Sequence, residues 1–249
     1  MSLDKGTNAV VTGGGSGMGR STCIQLARDG AAVAVWDVNL DGARETVALI
    51  ETEGNRAIAV ECDVSSKEAV TSAAAQTRQQ LGPVTILVNN AGISGPVPFL
   101  EIDDALWERM MAINLRGPWW VTQAILPDML AAGWGRIVNV TSSSTQIGSA
   151  GMTHYASSKG GLAIFTKSLA AEFARMGITA NNVPPNFIDT PMLREHFGQD
   201  FIDERAEASV MGRPGTGEDI AAAISYLCSK EAKHINGHTL SVNGGNYMN

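Results

Sequence analysis

Short runs of apolar and β-branched residues alternate along this chain with longer stretches in which apolar residues recur every three or four positions. NAVVT (8–12), AAVAVW (31–36), RAIAVE (56–61), VTILVNN (84–90), GRIVNVTS (135–142), ITANNV (178–183) and TLSVN (239–243) read as strands. The segments 17–29, 40–53, 66–81, 104–131, 153–176 and 218–229 show helical spacing of Leu, Ile, Ala and Val. Strands that are apolar on both faces and separated by helices predict a parallel sheet covered on each side, a doubly wound α/β arrangement of about seven strands. The stretch 184–217 breaks the rhythm, being marked by prolines, mixed in polarity and without a convincing strand. An insertion of that kind after a strand predicts a mobile cover over a site, placed at 188–209.

The length of 249 residues and the 44% apolar content suffice for one large core, so residues 1–249 read as a single domain. Eighteen Lys and Arg against 25 Asp and Glu give a net charge of -7, and no basic run tracks a phosphate backbone. Nucleic acid and an anionic membrane surface are therefore not expected as partners. Cys23, Cys62 and Cys228 are far apart and lack metal-ligand spacing, which fits reduced thiols in the cytoplasm. No stretch has the length of a membrane span, and no His, Cys and carboxylate cluster suggests a metal. The expectation is a soluble, cytoplasmic protein.

TGGGSGMGR (12–20) follows the first strand and opens the first helix. Glycines at 13, 17 and 19 let the backbone turn tightly and approach a pyrophosphate, whose charge then meets the positive helix N-terminus. The strict G-x-G-x-x-G pattern is absent, and a plain strand-to-helix turn is the competing reading. Asp37 ends the second strand about 20 residues further on, where a ribose 2′-hydroxyl needs an acceptor and a 2′-phosphate would be repelled. An ordinary turn or helix-capping aspartate is the alternative there. Arg20 reads as a residue on the first turn of a solvated helix. Together these features favour NAD(H) over NADP(H).

HYASSK (154–159) places a phenol and an ammonium four residues apart, on one face of a helix. A phenol with an ordinary pKa of about 10 is a poor base at neutral pH, and a nearby ammonium favours its phenolate. The pair Tyr155 and Lys159 reads as a general acid/base, although isolated matches to this spacing also arise by chance.

TGGGSGMG, NNAG (89–92), YASSK, CDV (62–64), INLRG (113–117), NVTS ending at Ser142 and the PxxIxTP pattern across 185–191 occur in an order that resembles the short-chain dehydrogenase/reductase family over essentially the whole chain. The resemblance implies a Rossmann-type fold and a hydride transfer to or from a nicotinamide. It implies that Tyr155 exchanges a proton with the substrate oxygen, and that Lys159 lowers the phenol pKa and binds the nicotinamide ribose. It further implies that Ser142 bonds the reacting oxygen and that Asn114 holds a water relaying protons from Lys159. Gly13, Ser16, Gly17, Met18 and Gly19 would cradle the pyrophosphate, and Asp37 would take the adenosine ribose. Asp63 and Val64 would contact the adenine, while Asn90, Ala91 and Gly92 form a backbone wall. Pro185, Ile188 and Thr190 would hold the carboxamide edge. A homotetramer with Trp119 and Trp120 at an interface is also implied.

Two departures from the family pattern stand out. Asn186 replaces the usual glycine after Pro185, either reshaping that edge or accepting a left-handed conformation. Asn243 replaces an aspartate. By analogy with the family, the segments 93–99, 143–152 and 186–209 would line the substrate pocket, offering Ile93, Ser94, Val97, Phe99, Ile147, Met152, Asn186, Phe187, Met192, Leu193 and Phe197. These suit a largely apolar ketone or secondary alcohol. Gln146 is the polar candidate for a second oxygen, and Arg194 and His196 could meet a carboxylate or a coenzyme A phosphate. His154 reads as a loop or interface residue, and Met110, Met111 and Met129 as core. The expected function is an NAD(H)-dependent alcohol dehydrogenase or carbonyl reductase. The alternatives are an NADPH-linked 3-oxoacyl thioester reductase and, more remotely, a non-catalytic dinucleotide-binding sensor.

Overall fold

A computed structural model describes residues 3, 4 and 6–248; the side chains of Met192, Glu195, His196 and Phe197 also lie outside the described part. The strands are β1 (Asn8–Thr12), β2 (Ala32–Asp37), β3 (Ala57–Glu61), β4 (Ile86–Asn89), β5 (Gly135–Val140) and β6 (Ile178–Val183). They form one parallel sheet in the order β3-β2-β1-β4-β5-β6. The seventh predicted strand runs beside β6 but pairs with it only through bridges from Asn182 to Thr239 and from Pro185 to Val242. Pro184 and Pro185 have no N–H to donate, so a continuous ladder cannot form there.

The helices α1 (Gly17–Arg28), α2 (Leu40–Thr52), α3 (Lys67–Leu81), α4 (Asp104–Met111), α5 (Gly117–Ala132), α6 (Ser144–Ile147), α7 (Thr153–Phe173), α8 (Pro191–Glu207) and α9 (Gly217–Cys228) complete the fold. Alternate residues of each central strand serve opposite faces of the sheet. Val11, Val33 and Val35 pack with Leu26 of α1, Ile50 of α2 and Ile224 of α9. Val10, Ala34 and Trp36 pack with Val70 of α3 and Ile125 and Met129 of α5. The buried Trp36 keeps its indole N–H satisfied at Thr77 Oγ1, 2.9 Å away. Cys23, Cys62 and Cys228 are free, buried thiols in these two cores.

The single helix expected over 104–131 is interrupted by a π-turn at Ala112–Arg116. Pro118 cannot donate to the carbonyl four residues earlier, at Asn114, and the ladder slips so that the Gly117 N–H bonds Ala112 O. The stretch 188–209, expected to be a mobile cover, is largely helical, with a break at Gly198, whose φ of 76° lies in the left-handed region. Among the described residues, no helix is long and apolar enough to cross a membrane. The strand order reverses between β1 and β4, and a crevice opens beyond the C-terminal ends of those strands, where parallel sheets of this kind bind ligands.

Candidate active site

The crevice holds a cleft of about 770 Å³ whose floor is the turn from β1 into α1. The turn survives only because Gly19 lacks a side chain: a Cβ there would lie 2.0 Å from Gly13 O and 2.6 Å from Asn90 Nδ2. Gly13, Ser16, Gly17, Met18 and Gly19 all line the cleft beside the start of α1, which presents unsatisfied N–H groups and a positive end to an anion. Opposite them the cleft is closed by Asp63 and Val64 after β3 and by Asn90, Ala91 and Gly92 after β4, with Thr190 at the start of α8.

Asp37 stands at the cleft edge with a fixed orientation. Its Oδ2 accepts from the Gly15 N–H at 2.8 Å and its Oδ1 from the Asn39 N–H at 2.8 Å. Arg20 is not the solvated residue the sequence suggests. Its guanidinium donates to Gly15 O, Thr46 Oγ1 and Gly42 O, and pairs with Glu45 at 2.8 Å, bracing the glycine turn against α2. Ser16 and Val38 also line the cleft, whose charged lining residues besides Asp37 are Asp63, Glu108, Arg109 and Arg116.

A second cavity of about 160 Å³ adjoins the cleft, sharing Met18, Asn90, Gly92, Ile93 and Thr190 with it. Ser142, Tyr155 and Lys159 line it together, with Ser94, Pro185, Asn186, Ile188 and Leu193. Asn114 lies just behind, fully buried: its Oδ1 accepts from Ile93 N at 2.9 Å and its Nδ2 donates to Ile93 O at 2.9 Å and Ser158 Oγ at 3.1 Å. Gly92 supplies the gap between the two sets, since a Cβ there would sit 3.1 Å from Asn114 Oδ1 and 3.3 Å from Lys159 Nζ. Asn90 Oδ1 and Thr141 Oγ1 are buried without a hydrogen-bond partner, and both residues border this cavity.

The electrostatics differ from the simple picture of a phenol tuned by its neighbouring ammonium. Burial raises the Tyr155 pKa, and the hydrogen bond with Ser142 works against that rise. Lys159 is itself pushed down to about 8 by burial, and its Nζ donates to Val140 O at 2.9 Å. Ser142 Oγ accepts from Ser144 N at 3.1 Å and from Ser144 Oγ at 2.9 Å, so the neighbouring serine holds it in place.

The α7 helix is set against the sheet by a buried polar ladder that the sequence reading did not find. Asn89 Nδ2 donates to Asn139 Oδ1, Asn139 Nδ2 to Thr166 Oγ1, and Thr166 Oγ1 to Asn182 Oδ1, at 2.8, 2.8 and 2.7 Å. The available signal was an asparagine at the same register on three adjacent strands, where Asn89 pairs with Asn139 and Asn139 with Asn182. Thr166 lies seven residues beyond Lys159, two helical turns along the same face.

The remaining predicted positions fall elsewhere. Gln146 Nε2 donates to Ser241 Oγ at 3.2 Å, which ties α6 to the C-terminal segment. Phe187 lines a separate hollow of about 200 Å³ with Met211 and Asn243. Met152 precedes α7 and borders neither cavity of the site. Met192 lies in α8, its side chain among those outside the described part, as are those of His196 and Phe197. Arg194 is held by Asp189 through two bonds of 2.7 Å. His154 is no loop residue: it lies in the first turn of α7, fully buried, with neither ring nitrogen hydrogen-bonded. Asn243 caps the final turn, accepting from Gly245 N and donating to Tyr247 O. Met110 and Met129 are core residues, and Trp119 is exposed. Among the described residues no group of His, Cys, Asp and Glu is arranged to hold a metal ion.

Residues 7–200 match the family model described as short chain dehydrogenase. The chain is 40% identical over 243 residues to the short-chain reductase protein NovJ of Streptomyces niveus, covering 95% of this chain and 92% of that one. It is 37% identical over 252 residues to the 3-oxoacyl-[acyl-carrier-protein] reductase FabG of Pseudomonas aeruginosa, covering 100% of both. A solved structure of a variant actinorhodin polyketide ketoreductase with NADPH superposes with a TM-score of 0.93 at 34% identity, covering 99% of this chain and 100% of that one.

Proposed function

Because this chain belongs to the short-chain dehydrogenases, a family of oxidoreductases, we propose that it is an NAD(H)-dependent enzyme interconverting a secondary alcohol and a ketone. The observation that carries this reading is the meeting of Ser142, Tyr155 and Lys159 around one small cavity, with Asn114 behind it, that opens onto a dinucleotide-sized cleft. The cofactor, when bound, supplies the hydride donor or acceptor at its nicotinamide ring. The chain fits such a group: the close-packed glycine turn leaves room for phosphates at the start of α1, and the unpartnered Asn90 Oδ1 and Thr141 Oγ1 offer buried polar atoms at the inner end.

In this account Ser142 Oγ holds the reacting oxygen, and Tyr155 Oη gives it a proton during reduction or removes one during oxidation. Lys159, lowered to about 8 by burial, would favour the phenolate while it is protonated, and a water between Lys159 Nζ and Asn114 Oδ1, the two polar atoms beside Gly92, would return protons to the site. Burial raises the Tyr155 pKa and the Ser142 hydrogen bond opposes that rise, so the two act against each other at the group that moves the proton.

NAD(H) is favoured by Asp37, since both its oxygens are already aimed by backbone N–H groups and its charge opposes a 2′-phosphate. Arg20, which bonds Gly15 beside Asp37, is committed to Gly15, Thr46, Gly42 and Glu45. An NADPH-linked 3-oxoacyl thioester reductase is the second reading, supported by the FabG relative and the NADPH-bound ketoreductase. NADH and NADPH oxidation measured side by side with ketones and 3-oxoacyl thioesters separates the two.

Two further expectations follow from this reading. The apolar outer face of α5, with Trp119 exposed and stacked on Trp120 at 6.3 Å, suits a homotetramer interface, and light scattering at micromolar concentration should give four chains rather than one. The segment 188–209, hinged at Gly198, is expected to close over bound ligands. Hydrogen exchange there should slow when NAD(H) is added; equal protection with and without it would remove the lid.

A further inference from the structure

Asn186 occupies the position where the family has glycine, yet its backbone does not use a glycine's freedom: among the described residues every positive φ belongs to a glycine. The asparagine is therefore not there to make a left-handed turn. The chain around it is pinned, because Ser143 N bonds Pro185 O at 3.0 Å, Gly215 N bonds Phe187 O at 2.9 Å, and Pro185 has a fixed φ. Asn186 is half-buried, lines the same small cavity as Ser142 and Tyr155, and among the described residues its carboxamide makes no hydrogen bond. A rigid backbone thus presents one unpaired amide, with donors and an acceptor, beside the reacting centre.

The charge of the surroundings narrows what that amide can meet. Among the described residues lining the cavity Lys159 is the one charged group, and it donates to Val140 O. Among the described residues of the lining, a carboxylate next to the reacting carbon would meet only the Lys159 ammonium, already engaged with Val140 O, whereas a neutral carbonyl or hydroxyl finds its match in the Asn186 amide. We propose that Asn186 is a specificity-determining residue that selects ketones, and the corresponding alcohols, bearing a neutral second oxygen within a few bonds of the reacting carbon. This inference rests on the carbonyl-reducing function given above and names the substrate class of that same site.

The test compares kcat/KM for NADH-dependent reduction of ethyl acetoacetate, its chain-length analogue 2-heptanone, and acetoacetate, in the wild type, Asn186→Leu and Asn186→Gly. The ester group also activates its neighbouring ketone, so the readout is the change in the ester-to-heptanone ratio on substitution. Losing one neutral hydrogen bond should lower that ratio about tenfold in both variants. Glycine, the usual family residue, guards against a leucine variant that fails to fold. The wild type should also prefer the ester over acetoacetate by about tenfold or more. A ratio unchanged in both variants, or a wild-type preference for acetoacetate, overturns the role of Asn186 while leaving the oxidoreductase reading intact. A wild type that oxidises NADH with none of the three ketones removes both.

Discussion

Replacing Tyr155 with phenylalanine is expected to lower kcat/KM by about 10³-fold, within the range of 10²–10⁴ typical of a lost general acid/base. The phenyl ring keeps the packing of the first turn of α7, so the fold and the glycine turn should be unaffected. What disappears is the one atom through which the proton passes. Ser142 remains, held by Ser144, but a serine hydroxyl cannot substitute for a phenol as proton donor at neutral pH. Dinucleotide affinity, followed by quenching of protein fluorescence, should change by less than threefold, because the cradle and Asp37 lie on other elements. A variant that retained a tenth or more of wild-type turnover would show that the proton comes from elsewhere, with Ser142 or a Lys159-bound water as the next candidates.

Asp37→Ser is expected to erase a preference for NAD(H) over NADP(H) on the order of 100-fold in kcat/KM, since charge-assisted bonds contribute roughly 1.5–3 kcal/mol and each 1.4 kcal/mol is about tenfold. The substitution acts twice. It weakens the bond to the adenosine ribose, and it removes an anion from the place a 2′-phosphate must enter. It also releases the Gly15 and Asn39 N–H groups that the carboxylate now holds, so those donors become available to the phosphate. Arg20 is not expected to take over, because its guanidinium is committed to the turn and to Glu45. Steady-state kinetics with both cofactors check this; equal use of the two by the wild type, or unchanged selectivity in the variant, would reduce Asp37 to a turn residue.

Much of the fold was legible because the parallel sheet writes itself as apolar runs: each of β1, β5 and β6 is buried at every position, and the predicted segments coincide with the strands to within one or two residues. The spacing of Tyr155 and Lys159 was legible for a similar reason, since a helix puts positions four apart on one face. What escaped was whatever depends on partners distant in sequence. Arg20 looks like a surface residue until α2 brings Gly42, Thr46 and Glu45 against it. Gln146 Nε2 donates to Ser241 of the C-terminal segment, a partner that no local pattern announces, while its Oε1 is buried without one. The π-turn at Ala112–Arg116 follows from Pro118, a helix-compatible proline whose cost falls one turn earlier, at Asn114. His154 was misplaced because one residue before Tyr155 on a helix is a different face, and here that face is buried.

The measurement that bears most directly on the central claim is the appearance of NADH at 340 nm when the protein is given NAD with a panel of secondary alcohols, hydroxy acids and hydroxyacyl thioesters, run in parallel with NADP and with the Tyr155→Phe variant. Turnover of at least one secondary alcohol with NAD is expected, with turnover on NADP about two orders of magnitude lower and near-complete loss in the variant. Binding of NAD without turnover of any panel member, or turnover that survives Tyr155→Phe, would contradict the claim.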